Sequence, residues 1–159
     1  MSLLLNHDSP RARQPAPETS NINLTMHQCA MLHKCQEIEN NQEESGIEYP
    51  YLVLGSKPGS GKSYVILSYI LSEKLRYAET DSSPINILVV PANLYAQWTT
   101  YFNEYYKNIY TIDLNNPGQA SDPNVMSILY IPNDTSLMQL RYNFNSLAYA
   151  NIILIPTIL

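Results

Sequence analysis

Ser56-Lys57-Pro58-Gly59-Ser60-Gly61-Lys62-Ser63 has residue types and a spacing that add up to a chemistry. Gly59 and Gly61 lack the Cβ that would block an inward turn, so successive backbone N–H groups at a helix start could surround an anion. Lys62 adds a cation on a long stem, able to reach the β- and γ-phosphates of a nucleoside triphosphate. The Ser63 hydroxyl adds a ligand for Mg²⁺. The pattern fits A-x-x-G-x-G-K-[S/T], with Ser56 as a small first residue. Residues Ser56, Lys57, Pro58, Gly59, Ser60, Gly61, Lys62 and Ser63 are therefore the candidates for holding ATP and Mg²⁺, and Lys62 is the one expected to act in catalysis. Hydrolysis needs more: a carboxylate for the metal and a base for water. No acidic pair stands at the end of an apolar run. Glu43-Glu44 lies in the polar stretch "NNQEESG" and reads as solvated charge.

Such a loop works only between a strand and a helix, and the flanking residues predict both. "YLVL" (Tyr51 to Leu54) reads as a short buried strand, and an apolar helix follows from Ser63 to about Ala78. Upstream, a helix is expected over Met26 to Asn40, with Met31, Cys35 and Ile38 on one face. Downstream, "NILVV" (Asn86 to Val90) reads as a strand closed by Pro91. Asn93 is placed to cap a helix carrying Leu94, Trp98, Tyr101, Phe102 and Tyr105. "IYTID" and "MSILYI" read as strands on either side of the turn-rich "NNPGQASDP". A helix over Thr135 to Ala148 and a last strand, Asn151 to Ile155, complete the pattern. Short apolar strands alternating with helices predict an α/β fold with a parallel sheet covered on both faces. The Pro-rich, polar residues 6–23 read as a disordered arm, giving an arm over 1–23 and one domain over 24–159.

"LVVPANLYAQW" (Leu88 to Trp98), taken with the phosphate loop, resembles motif Ia of superfamily 2 helicases. The likeness is nearest to the SWI/SNF-type and large-DNA-virus helicase-like ATPases. The resemblance covers roughly Leu24 to the C-terminus, as the front part of a first RecA-like P-loop domain. It implies an ATP-driven nucleic-acid helicase or translocase acting on DNA more readily than RNA, with Asn93, Leu94 and Tyr95 along the strand backbone. It also implies that Gln28, in "LTMHQCAML", reads adenine through its amide. Thr25-Met26-His27-Gln28 is equally a helix capping box, and the two roles are compatible. "NIILIPTIL" resembles the strand before the acidic motif II box, so the missing carboxylates and second motor domain are expected beyond residue 159. The chain alone is then expected to bind nucleotide without hydrolysing it.

Two other readings stay open. One is a small P-loop kinase or NTPase with Asp113 or Asp134 serving the metal; the other is a nucleotide-binding module without catalysis. A net charge of −5 over 159 residues argues against a surface that grips nucleic acid by charge alone. Cys29 and Cys35 are too few for a disulfide framework and suggest a reducing compartment. Their C-x5-C spacing near His27 and His33 is wider than metal sites use. No membrane span or signal segment is expected, which points to a soluble intracellular protein. The 13 tyrosines lack interleaved basic residues and read as packing, as does Trp98.

Overall fold

Residues 5–6, 8–45, 52–78, 84–115 and 124–157 are described by the structure, a computed structural model. Four strands, β1 (Asn86–Pro91), β2 (Ile109–Thr111), β3 (Met126–Tyr130) and β4 (Ile152–Thr157), form one all-parallel sheet in the order β1-β4-β3-β2. Parallel neighbours need a crossover, and between β3 and β4 helical segments supply it. The helices are α1 (Met26–Ser45), α2 (Lys62–Arg76), α3 (Tyr95–Tyr105) and α4 (Asp134–Tyr142). The chain is thus α/β, as its alternating pattern predicts.

Side chains of β3 and β4 alternate between two cores, as the period of two requires. Ile128, Ile152 and Leu154 face α2 and α3, where Leu67, Ile70, Phe102 and Tyr105 meet them. Leu129, Ile131 and Ile153 face the other way, towards Leu140 of α4 and Leu147 of a 3-10 turn over Phe144–Tyr149. Both faces are therefore covered by helical segments, and β3 is buried throughout except at Tyr130. The edge strand β1 is covered on one side only: Val90 is buried, whereas Ile87 and Val89 are 62% and 60% exposed. Helix α1 forms an outer layer, packing Cys29, Met31 and Leu32 against Val65 of α2.

Buried Asn151 ties the strand starts together. Its Oδ1 accepts from the Ser127 N–H at 3.0 Å, and its carbonyl accepts from the Asn86 N–H at 2.9 Å. A polar side chain between three strands fixes their register, because a slip would leave its buried oxygen unpaired.

Several expectations need correction. Leu52 to Leu54 is not a strand: Leu52 and Val53 are 52% and 75% exposed, and only Leu54 turns inward, onto the α1–α2 cluster. Tyr51 lies outside the described residues. An uninterrupted apolar run carries no alternation to say which face it serves, and here the α1–α2 layer takes its one half-buried side chain. Asn93 caps nothing, since the chain enters α3 through a 3-10 turn, Ala92–Leu94, with no side-chain cap on either element. The helix predicted over Thr135 to Ala148 breaks at Asn143, whose N–H is shared between the carbonyls of Gln139 and Leu140 at 3.1 Å each. Helix α1 runs on through Ser45, because Glu and Gln are good helix formers.

Residues 8–23, expected as an arm, have no helix and only one bridge, Ser20 to Tyr106. They lie on the body. The Asn21 N–H donates to Tyr105 O at 2.9 Å, and the Gln14 amide pairs with both backbone groups of Leu24 at 2.6 and 2.8 Å.

Helix α4 buries no residue of its own, so its cap matters more than its packing. Asn133 Oδ1 accepts from the Ser136 N–H at 3.0 Å. Asn133→Ala should cost about 1 kcal/mol, the usual value of an N-cap. Hydrogen exchange should show faster exchange in 134–142 and unchanged protection in β3 and β4. Loss of protection across the sheet would mean that α4 is integral to the core.

Candidate functional site

The loop before α2 is built from two glycines in the left-handed region. Gly59 has φ 78° and Gly61 has φ 76°. Ser60 between them has a negative φ, since no described non-glycine residue has a positive one. Alternating handedness followed by a helical residue turns consecutive N–H groups to the same side, which is the geometry of an anion nest. Lys57 to Ser60 form a turn closed by the Ser60 N–H to Lys57 O at 3.3 Å. Pro58 and Gly59 occupy its centre, as a type II turn requires. Ser56 and Ser60 join their hydroxyls at 2.8 Å and pinch the loop shut.

Among the described residues, no acceptor takes the N–H groups of Gly59, Gly61, Lys62 or Ser63. Those of Lys62 and Ser63 carry the positive end of the α2 dipole. The Lys62 ammonium bends back over the loop and donates to Ser56 O at 2.9 Å and Lys57 O at 3.0 Å. A bound phosphate would compete for the same cation. The Ser63 hydroxyl likewise has no partner among the described residues. Lys57 and Pro58 are exposed and shape the turn.

Beside this loop lies a cleft of about 660 Å³, with Lys62 and Ser63 at its wall. Leu94 and Trp98, which follow the carboxyl end of β1, line it too. In open parallel sheets that edge is where ligands bind. The rest of the wall is mainly apolar, including Leu52, Leu54 and Tyr69. Trp98 also packs against Tyr101 and Phe102, with ring centroids at 5.9 and 6.1 Å, as the packing interpretation expects.

Of the residues expected along a nucleic-acid strand, Asn93 is exposed and Leu94 is 37% exposed. Tyr95 is half-buried, and its hydroxyl is enclosed with no hydrogen-bond partner among the described residues. Burial, with Tyr130 nearby, pushes that phenol up to about 12. Asp113 and Asp134 are not brought to the loop. Asp113 follows β2 at the far edge of the sheet, where it accepts from the Asn115 N–H at 2.9 Å. Asp134 opens α4, and neither lines the cleft.

Gln28 closes the capping box that its spacing predicts. Its Oε1 accepts from the Thr25 N–H at 2.8 Å, and its own N–H donates to Thr25 Oγ1 at 3.4 Å. One contact was illegible in the sequence: Gln28 Nε2 donates to Ser60 O, in the phosphate loop, at 3.2 Å. Nothing local marks a pair so distant in the chain.

Cys29 and Cys35 are buried free thiols, and burial raises both above the usual thiol range; Arg11 partly offsets this at Cys29. No cluster of three or more metal-binding side chains occurs among the described residues, and no helix there is long and apolar enough to cross a membrane. Comparison with protein-family models, curated proteins and solved structures found no match.

Proposed function

We propose that the chain is the nucleotide-binding portion of an ATP-dependent nucleic-acid helicase or translocase, built as part of a RecA-like P-loop domain. The observation that carries the proposal is the alternating φ at Gly59, Ser60 and Gly61, with unpaired N–H groups at the start of α2. This is a cradle for a phosphate chain. Lys62 would leave the carbonyls of Ser56 and Lys57 to neutralise the β- and γ-phosphates. Ser63 would hold Mg²⁺, which supplies charge neutralisation on those phosphates. The nucleic-acid half rests on the resemblance of Leu88 to Trp98 to motif Ia and on Leu94 lining the same cleft as Lys62.

The donor set fits the phosphates better than the metal, since Ser63 is the loop's one side-chain ligand for Mg²⁺. The 159-residue chain should therefore bind ATP weakly and release no phosphate above background. That same shortage favours the second reading, a module that holds nucleotide without cleaving it.

The test is an ATPase titration with single-stranded and duplex DNA and RNA, on a polypeptide carrying this domain and a second motor half. The rate should rise with nucleic acid, and substitutions at Asn93, Leu94 or Tyr95 should cut the rise more than the basal rate. A rate indifferent to every nucleic acid would remove the translocase reading. Robust Mg²⁺-dependent hydrolysis by residues 1–159 alone would instead favour the small NTPase.

A further inference from the structure

We infer that Gln28 is a positioning residue for the phosphate loop and reads no base, so that the site selects the triphosphate and accepts any nucleobase. The inference rests on the phosphate-binding reading above and specifies its ligand class.

A side-chain amide reads a base by presenting its acceptor and a donor together along one edge of the ligand. In Gln28 one lone pair and one N–H are already engaged, and both fix the orientation of the amide. Oε1 receives the Thr25 N–H at 2.8 Å, and Nε2 donates to Ser60 O at 3.2 Å. The side chain is only 9% exposed. The amide is also pressed against the loop: a Cβ built on Gly61 would stand 2.0 Å from Nε2 and 3.2 Å from Cδ. Turning it towards a ligand would open the capping box of α1 and strip the Ser60 carbonyl of its donor.

The cleft points the same way. Gln28 is not in its wall. A base entering beside Lys62 and Ser63 would meet mainly Leu52, Leu54, Leu94, Trp98 and the ring of Tyr69, with the Glu39 carboxylate also on the wall. Aliphatic and aromatic surfaces of this kind accept the π-face that all bases share. Discrimination between adenine and guanine needs hydrogen bonds to the base edge, and a wall of this composition offers few.

Gln28 then has a definite task. It clamps the Ser60 carbonyl from below, between two left-handed glycines, and so holds the peptide groups on either side in the orientation that aims their N–H groups at one anion. The clamp is fastened to the first turn of α1 and so ties that helix to the loop.

The experiment is calorimetric titration of the 159-residue chain with ATP, GTP, CTP, UTP and inorganic tripolyphosphate, in wild type and in Gln28→Glu. Glutamate keeps the capping box, because its carboxylate still accepts from the Thr25 N–H, so the fold persists. It has no donor for Ser60 O. Wild type should bind the four nucleotides within about threefold of one another, and tripolyphosphate measurably. Gln28→Glu should weaken all five by one common factor of roughly tenfold, the equivalent of about 1.4 kcal/mol. ATP binding tenfold tighter than GTP, with the preference lost in Gln28→Glu, would overturn the inference in favour of base reading. Unchanged affinities in the variant would overturn the positioning role. If wild type binds none of the five, the phosphate-loop reading itself falls.

Discussion

Lys62→Ala lowers the affinity of the chain for ATP by roughly a hundredfold or more, the largest functional effect expected of any single substitution. The Lys62 ammonium bends back over the loop, at 2.9 and 3.0 Å from the carbonyls of Ser56 and Lys57. Hydrogen bonds to charged groups contribute about 1.5–3 kcal/mol each, and two of them to phosphate oxygens give about 3–6 kcal/mol. At about 1.4 kcal/mol per decade that is two to four orders of magnitude. Stability should barely change, because the two carbonyls lie on a half-exposed loop open to water. Arg141→Ala, in the exposed last turn of α4, is the control and should leave affinity within twofold. Titration by fluorescence of a labelled triphosphate decides it. A Lys62→Ala chain that binds like wild type would show that the loop is an empty turn.

Phe102→Ala should destabilise the fold by about 3–5 kcal/mol, the usual cost of removing a buried ring. Phe102 is fully buried where α3 meets the sheet, with the rings of Trp98, Tyr106 and Tyr130 at 6.1, 6.3 and 6.3 Å. The hole it leaves has a rigid floor: Ile128, Ile152 and Leu154 are locked in strands and move little to fill it. For a domain of this size each kcal/mol shifts Tm by about 2–4 °C, so a drop of roughly 6–20 °C is expected. Phe144→Ala makes the contrast. At 70% exposed, Phe144 carries little packing, and its loss should stay within about 0.5 kcal/mol. Urea melts of both variants, compared by midpoint, would reveal an α3 that does not rest on the sheet if the two losses came out alike.

The sequence made the local features readable and left the global ones closed. The start of α2 was legible because Gly59 and Gly61 each do one thing that other residues do poorly, adopting positive φ in front of a helix. Strands β3 and β4 were legible as apolar runs between turn residues. Leu52 to Leu54 has the same composition, and its placement depends on what surrounds it. Order in the sheet was not readable either: nothing in "NIILI" says that it lies between β1 and β3. The break at Asn143 went unseen because Asn is tolerated inside helices as well as after them. The capping box of Thr25 and Gln28 could be read from a three-residue spacing. Its second contact, to Ser60, could not.

The central position of β4 has a consequence for how the chain comes to be folded at all. Among the described strands, β4 follows the other three in the chain and supplies the partner of β1, Asn86 pairing with Ile152, and the link between β1 and β3. On a ribosome adding roughly 5–20 residues per second, β1 therefore waits several seconds for β4, its partner among the described strands. Only β2 and β3 can pair meanwhile. During that interval the uncharged run Ile87-Leu88-Val89-Val90 is a template for any strand that passes, the hazard that native edges usually blunt with charge. Pairing of β1 with β4 is thus a late event of high contact order, which is expected to slow refolding.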